Sequence, residues 1–242
     1  MTAIFKREFK SYFTGPIGYV ALLYLFFLVS LPFIEMFSMG YPYIDYIFAS
    51  ASTFSAFIIP IITMRLFSEE RKNKTDQALL TAPVSIVGIV LGKFFAAISL
   101  FAAGFLPTLV YQVIVSNRMF AASKSSVNWK IFLVCYLAIV LFGAALTSIG
   151  CFISSLTESQ AVAAILGIAA TLVVMIIDFL ASLITFKWFA PVTKAISDYS
   201  FLSKLSHLLD GMLNVSSIVY FLSVTVFFLF LTVLSVNKRR WK

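Results

Sequence analysis

The stretch IFLVCYLAIVLFGAALTSIGCFISSLT, Ile131 to Thr157, carries no charged side chain from end to end. An α-helix rises 1.5 Å per residue, so about 20 apolar residues cross the ~30 Å hydrocarbon layer of a bilayer. This block is long enough to do so. Five more charge-free stretches flank it, at 11–34, 46–64, 94–117, 159–177 and 211–237, and each is 19 residues or longer. Apolar residues make up 61% of the 242-residue chain and charged residues 12%. Soluble domains usually hold ~45–50% and ~25%. The runs are continuous where barrel strands would alternate, and helices satisfy their own backbone groups in lipid. The expectation is an all-α membrane protein of six transmembrane helices, over 17–37, 46–66, 85–116, 129–154, 161–185 and 215–236, forming a single domain 1–242. The first block follows a charged segment and lacks a small-residue cleavage pattern, so it is expected to remain as helix 1 and not to be removed as a signal peptide.

Charge placement sets the orientation. With the amino terminus inside, Lys6, Arg7, Lys10, Arg65, Arg71, Lys72, Lys74, Lys93, Lys238, Arg239, Arg240 and Lys242 are cytoplasmic. Arg118, Lys124, Lys130, Lys187, Lys194 and Lys204 are then outside. This bias follows the positive-inside rule and places both termini in the cytoplasm. The net charge of +8 therefore reads as membrane orientation and contact with anionic lipid. Nothing resembles a folded basic domain that would read nucleic acid.

Residues 1–14 pattern as an interfacial helix, with Ile4, Phe5, Phe9, Tyr12 and Phe13 on one face and Lys6, Arg7 and Lys10 on the other. Gly15-Pro16 then breaks the helix. The 68–83 stretch is the longest charged loop. Its pattern suggests Ser68 as the cap of a helix opening on Glu69 and Glu70, and Thr75 as the cap of a second short helix carrying Leu79 and Leu80 and ended by Pro83. Gly104 and Pro107 suggest a kink in helix 3, and residues 117–128 read as a polar external loop. Leu202, Leu205, Leu209 and Met212, with Leu208 and Leu213 beside them, suggest one or two short extracytoplasmic helices before helix 6. Trp241 and the basic tail suit the inner interface.

Catalytic patterns are missing: there is no G-x-x-x-x-G-K-[ST] loop, no H-E-x-x-H and no G-x-S-x-G. Cys135 and Cys151 fall in one helix about 24 Å apart, too far to bond to each other, and read as packing residues. His207 is the sole histidine and cannot build a metal site. Glu35 reads as interfacial. Asp178, inside helix 5, is either a helix–helix hydrogen-bonding residue or a lining residue of a pathway. The 65–83 loop is longer and better capped than a turn requires, with charges outside and Leu79-Leu80 free for a groove.

Several segments carry a family likeness. They are Met64-Arg65-Leu66-Phe67-Ser68-Glu69-Glu70-Arg71-Lys72, then Thr75, Leu79-Leu80-Thr81-Ala82-Pro83-Val84-Ser85 and Leu91-Gly92-Lys93-Phe94. With Arg7-Glu8-x-Lys10-Ser11-Tyr12-Phe13-x-x-Pro16-Ile17-Gly18-Tyr19, the Ser154-Ser155-Leu156-Thr157 turn, and Asp210-Gly211 through Ile218-Val219-Tyr220-Phe221, the chain resembles the type-2 ABC (ABC-2) exporter permeases, closest to the gliding-motility-type (Gld) subfamily. It departs at Lys74, where the family commonly has glycine, and at Gln77, where it commonly has an acid. The resemblance implies a non-catalytic permease subunit forming half of an export pathway in a bacterial cytoplasmic membrane. It implies two copies of an ABC ATPase, which bind the ATP and magnesium, and a second permease, the same or a homologous chain. No cofactor is expected in this chain. A coupling helix between helices 2 and 3 is implied, with Arg65, Glu69, Glu70, Arg71, Thr75, Leu79, Leu80 and Pro83 as ATPase contacts. The turn with Thr157, Glu158 and Gln160 is a weaker second contact. A stand-alone secondary carrier or channel, or a structural membrane anchor, is the alternative function.

Overall fold

A computed structural model describes residues 1–40, 44–75, 84–123, 129–183 and 199–240, with backbone alone at 117–123, 178–183 and 240. Among the described residues there are ten helices: α1 Thr2–Thr14, α2 Pro16–Met39, α3 Ile44–Thr63, α4 Arg65–Lys72, α5 Ile86–Gly104, α6 Pro107–Ser123, α7 Trp129–Leu156, α8 Gln160–Leu183, α9 Phe201–Leu209 and α10 Val215–Arg240. Six helical spans are long and apolar enough to cross a membrane: Pro16–Met39, Ile44–Lys72, Ile86–Ser116, Trp129–Leu156, Gln160–Ile177 and Val215–Arg239.

The charge-free stretch from Ile131 forms most of α7, a central helix of the bundle. α7 packs against α10, α3, α8, α9, α5 and α4. Its inward positions are mostly small: Ala138, Gly143, Ala145, Ser148, Gly150 and Cys151 are all buried. Small residues let helix backbones approach in a setting where lipid removes the usual hydrophobic drive between helices. At Gly150 a Cβ would collide with the side chain of Thr63, so α3 and α7 meet there at the closest possible distance. Cys135 and Cys151 are buried and unbonded, and the Cys135 Sγ lies 3.3 Å from the Leu209 carbonyl that caps its contact with α9. α2, α8 and α10 line the outside of the bundle and present apolar side chains such as Leu23, Leu31, Ile165 and Phe230 outward.

Polar atoms inside the bundle bond across helices. Thr171 donates to the Ala56 carbonyl (2.9 Å), Tyr136 to the Ala102 carbonyl (3.0 Å) and Tyr24 to the Phe54 carbonyl (3.2 Å). Glu35 accepts from Tyr46 at 2.9 Å, joining α2 to α3 near their linked ends.

The expected span over 85–116 is two helices. Ser85 caps the first, accepting from the Gly88 N–H at 3.2 Å. α5 ends at Gly104, and α6 begins at Pro107, whose ring nitrogen has no proton to donate. α6 continues through Ser123, so 117–123 is helical where an external loop was expected. α10 likewise runs on to Arg240, past the expected 236. In α9, Phe201, Leu205, Leu208 and Leu209 are buried, whereas Met212 and Leu213 are exposed. The helix stops at Leu209 and Gly211 turns the chain at φ +81°, which takes Met212 off the expected face. Lys187 and Lys194 lie outside the described residues, as does Trp241.

Candidate functional site: the charged junction of α1, α4 and α5

α4 continues almost directly from α3. Met64 keeps helical dihedrals and its N–H bonds the Pro60 carbonyl at 2.8 Å. Ser154, at the end of α7, fills the join. Its Oγ donates to the Met64 carbonyl at 3.0 Å and accepts the N–H groups of Phe67 and Ser68 at 3.2 and 3.3 Å. The first amides of a helix lack intrahelical partners, and here a hydroxyl from another helix supplies one. Ser68 is therefore not a cap. It is buried inside α4 and its hydroxyl donates back to the Met64 carbonyl. Glu69 and Glu70 consequently sit in the second half of α4, away from its positive end.

α4 ends in a Schellman arrangement. The Thr75 N–H reaches the Glu70 carbonyl at 2.9 Å and the Lys74 N–H the Arg71 carbonyl at 3.2 Å. That geometry needs a left-handed residue after the cap, and Lys74 takes it at φ +56°. The position is where glycine, free of a Cβ, fits without strain. The Thr75 hydroxyl donates to the Glu70 carbonyl at 3.3 Å. Leu79, Leu80 and Pro83, with the expected second short helix, lie outside the described residues.

The centre of the junction is Lys93. Its ammonium donates to the Leu66 carbonyl at 2.6 Å and lies 2.9 Å from Glu70 and 3.3 Å from Glu8, with 1% of the side chain exposed. The ring of Phe67 covers it at 5.3 Å. Arg7 closes the cluster, 2.6 Å from Glu8 and 2.7 Å from Glu70. Three helices that are distant in sequence thus share one set of charges. A buried cation is tolerated only when paired and hydrogen-bonded, and Lys93 meets both conditions. Burial alone would raise the Glu8 carboxyl, but the charge of Lys93 and the hydrogen bond and charge of Arg7 outweigh it and hold Glu8 below its ordinary value. One residue before Lys93, Gly92 has Ile4 and the Met1 carbonyl where a side chain would stand, so α1 lies directly on α5.

A second set of contacts fixes the other flank of α1. Arg65 donates to Ser11 Oγ at 2.6 Å, pairs with Glu69 at 3.2 Å and stands 5.6 Å from the centre of the Tyr12 ring. Tyr12 is 2% exposed and donates to the Ile62 carbonyl at 3.0 Å. Its burial pushes the phenol well above its ordinary value. The apolar face expected for α1 is present: Ile4 and Tyr12 are buried, and Phe5, Phe9 and Phe13 form a ladder with ring centres 5.8 and 5.3 Å apart.

Arg71 joins α4 to the turn after α7. It donates to the Leu156 carbonyl at 2.9 Å and pairs with Glu158 at 2.6 Å. α4, the described part of the first segment expected to contact the ATPase, therefore lies beside the turn of the second. Thr157 bonds the Ile153 carbonyl at 3.4 Å, and Gln160 opens α8. Between α1 and α4 a cleft of about 360 Å³ is lined by Ser11, Asn73, Thr75 and three residues of each charge. No group of three or more His, Cys, Asp or Glu that could hold a metal occurs among the described residues. The side chain of Asp178, in α8, lies outside the described part.

Sequence reasoning missed Glu8, Ser11, Tyr12, Lys93 and Ser154 as parts of this site. One signal was present: Lys93 is a solitary cation that interrupts an otherwise uncharged run from Val84 to Asn117.

Fold and junction together define a polytopic, all-α membrane protein whose charged end is organised around the short helix that ends the second span. The chain matches the ABC-2 family transporter protein family over residues 2–240, and it belongs to that family as an ABC-2 type permease. No curated protein is significantly similar to it in sequence.

Proposed function

We propose that the chain is the membrane half of an ATP-driven exporter of the gliding-motility-type subfamily, coupled to a separate ABC ATPase through the 65–83 segment. The observation that carries this reading is the bracing of α4. Lys93 and Arg7 bind it to α5 and α1, Ser154 and Arg71 bind it to α7, and it emerges in line with α3. A load applied to the segment after Thr75 passes into four helices at once. Rigid-body shifts of packed helices are a standard route by which a local push alters a distant cavity.

The family resemblance and the bracing of α4 support the following roles. Arg65, Glu70 and Arg71 act as struts toward α1, α5 and α7, and Glu69, partly exposed beside Arg65, faces the ATPase. Leu79 and Leu80 enter the ATPase groove, with Pro83 ending the segment. Thr157, Glu158 and Gln160 form the second contact. Two ATPase copies bind ATP and magnesium, and a second permease, identical or homologous, completes the pathway. The excess of basic residues at the α4 end supports an orientation with that end and both termini in the cytoplasm of a bacterial cell. α1 then lies along the inner interface and α9 caps the outer side. Asp178 is a candidate pathway residue.

The test is purification of the tagged chain from its native membrane in mild detergent, with identification of co-purifying chains and an ATPase assay. Stoichiometric recovery of a P-loop ATPase is expected. Recovery of the chain alone, in several detergents and in lipid, would overturn the reading in favour of a carrier or an anchor.

A further inference from the structure

The last turns of α7 and α10 enclose a groove of about 440 Å³ that the coupling reading leaves unused. Phe152, Leu156, Leu231 and Leu234 make its wall apolar, with Ser235 beside them. Arg71, Lys238 and Arg239 line the same groove. Polarity changes along its length. From Leu231 to Arg239 the helix advances about 12 Å, so the cations stand at the helix end and the aliphatic side chains point back along the span. Leu156 and Leu234 remain 53% and 47% exposed, and Lys238 is exposed as well. Arg71 is paired with Glu158.

We propose that this groove binds one anionic glycerophospholipid, with its phosphate at Lys238 and Arg239 and the upper part of an acyl chain over Phe152, Leu156, Leu231 and Leu234. Three basic side chains in one lining suit a phosphodiester that carries a second anionic or neutral hydroxylated group. A water-soluble anion would leave the apolar wall uncovered, whereas a lipid covers both parts. Basic pockets between spans at a membrane face are suited to such headgroups, and each Lys or Arg near the surface favours them. Arg71 lies in both the groove and the junction, so an occupied groove also steadies the end of α4. Assignment to the inner leaflet rests on the orientation proposed above; the binding itself does not.

The test uses the delipidated full-length chain in neutral detergent, titrated with equimolar phosphatidylglycerol and phosphatidylcholine of identical acyl chains and read by native mass spectrometry. The wild type is expected to hold the first phosphatidylglycerol about tenfold more tightly than phosphatidylcholine. The K238Q/R239Q variant should bring the two lipids within about twofold. S235W, which fills the groove without altering charge, should lose the first lipid of either kind. Millimolar inorganic phosphate should not displace the bound lipid. Thermal midpoints check folding, and S235W decides the matter if the double variant does not fold. Equal binding of both lipids by the wild type overturns the proposal, as does a tenfold preference surviving in folded K238Q/R239Q, full occupancy in S235W, or displacement by free phosphate. Whether an ATPase co-purifies has no bearing on these results, so failure here and failure of the exporter reading are told apart.

Discussion

The ammonium of Lys93, on α5, lies 2.9 Å from the Glu70 carboxylate, on α4, and only 1% of the lysine side chain is exposed. This pair joins the first helix of the third span to the segment that leaves the second. Replacing Lys93 with Met keeps the volume but leaves Glu8 and Glu70 facing each other with Arg7 alone. Loss of one partner from a buried pair typically costs about 3 kcal/mol. The expected outcome is a lower thermal midpoint in detergent together with faster amide exchange throughout α1. In a double-mutant cycle, Lys93→Met with Glu70→Gln should cost less than the sum of the single changes. Additive losses would show that the pair is not coupled.

Glu8 titrates below its ordinary value of 4.5, so the folded state favours its ionised form. Its contribution is fully present above pH 4.5 and is lost as pH falls through the depressed value. Thermal unfolding of the wild type and Glu8→Gln, followed from pH 7 to pH 3, should show a constant gap down to about pH 4.5 and a shrinking gap below it. A gap that widens toward acid would contradict the assignment.

Lys74 occupies a left-handed position that costs a side-chain-bearing residue about 1 kcal/mol. Lys74→Gly should leave stability unchanged or raise it by up to about 1 kcal/mol, since relief of strain opposes the added freedom of the unfolded chain. Lys74→Val should lower it, because a branched Cβ fits this region poorly. Equilibrium unfolding should therefore find Lys74→Gly more stable than Lys74→Val. Equal destabilisation would mean that the backbone turns elsewhere.

Ser154→Ala removes the hydroxyl that serves Met64, Phe67 and Ser68. Buried groups left unsatisfied cost about 1–3 kcal/mol. The neighbouring Ser155 bonds only within its own helix, to the Phe152 carbonyl at 2.7 Å, and Ser155→Ala should cost less. If the two variants melt alike, Ser154 does not hold α3 and α4 together.

The spans were legible because a bilayer imposes one rule, length of apolar chain, that composition shows directly. The α1 face was legible for the same reason, since Ile4, Phe5, Phe9, Tyr12 and Phe13 recur at helical spacing. A kink at Gly104 and Pro107 was legible, but the structure has two separate helices there. The junction was not legible from local pattern. Lys93 meets a carboxylate 85 residues away, and at that distance a lysine reads only as an orientation charge. Ser68 was misread because serine before two glutamates is a good local cap; Ser154, brought in by tertiary packing, took the role and left Ser68 inside the helix. The resemblance marked Glu8, Ser11, Tyr12, Lys93 and Ser154 as motif residues, but only three-dimensional contact shows what they bind.

The most direct test of the coupling reading compares the wild type with a Leu79→Asp/Leu80→Asp variant, each purified from native membrane under one mild detergent. The quantity measured is ATPase bound per permease, with membrane insertion and thermal midpoint checked in both. The expected result is stoichiometric ATPase on the wild type and none on an equally stable variant. An unchanged amount of ATPase on the variant would contradict coupling through this segment.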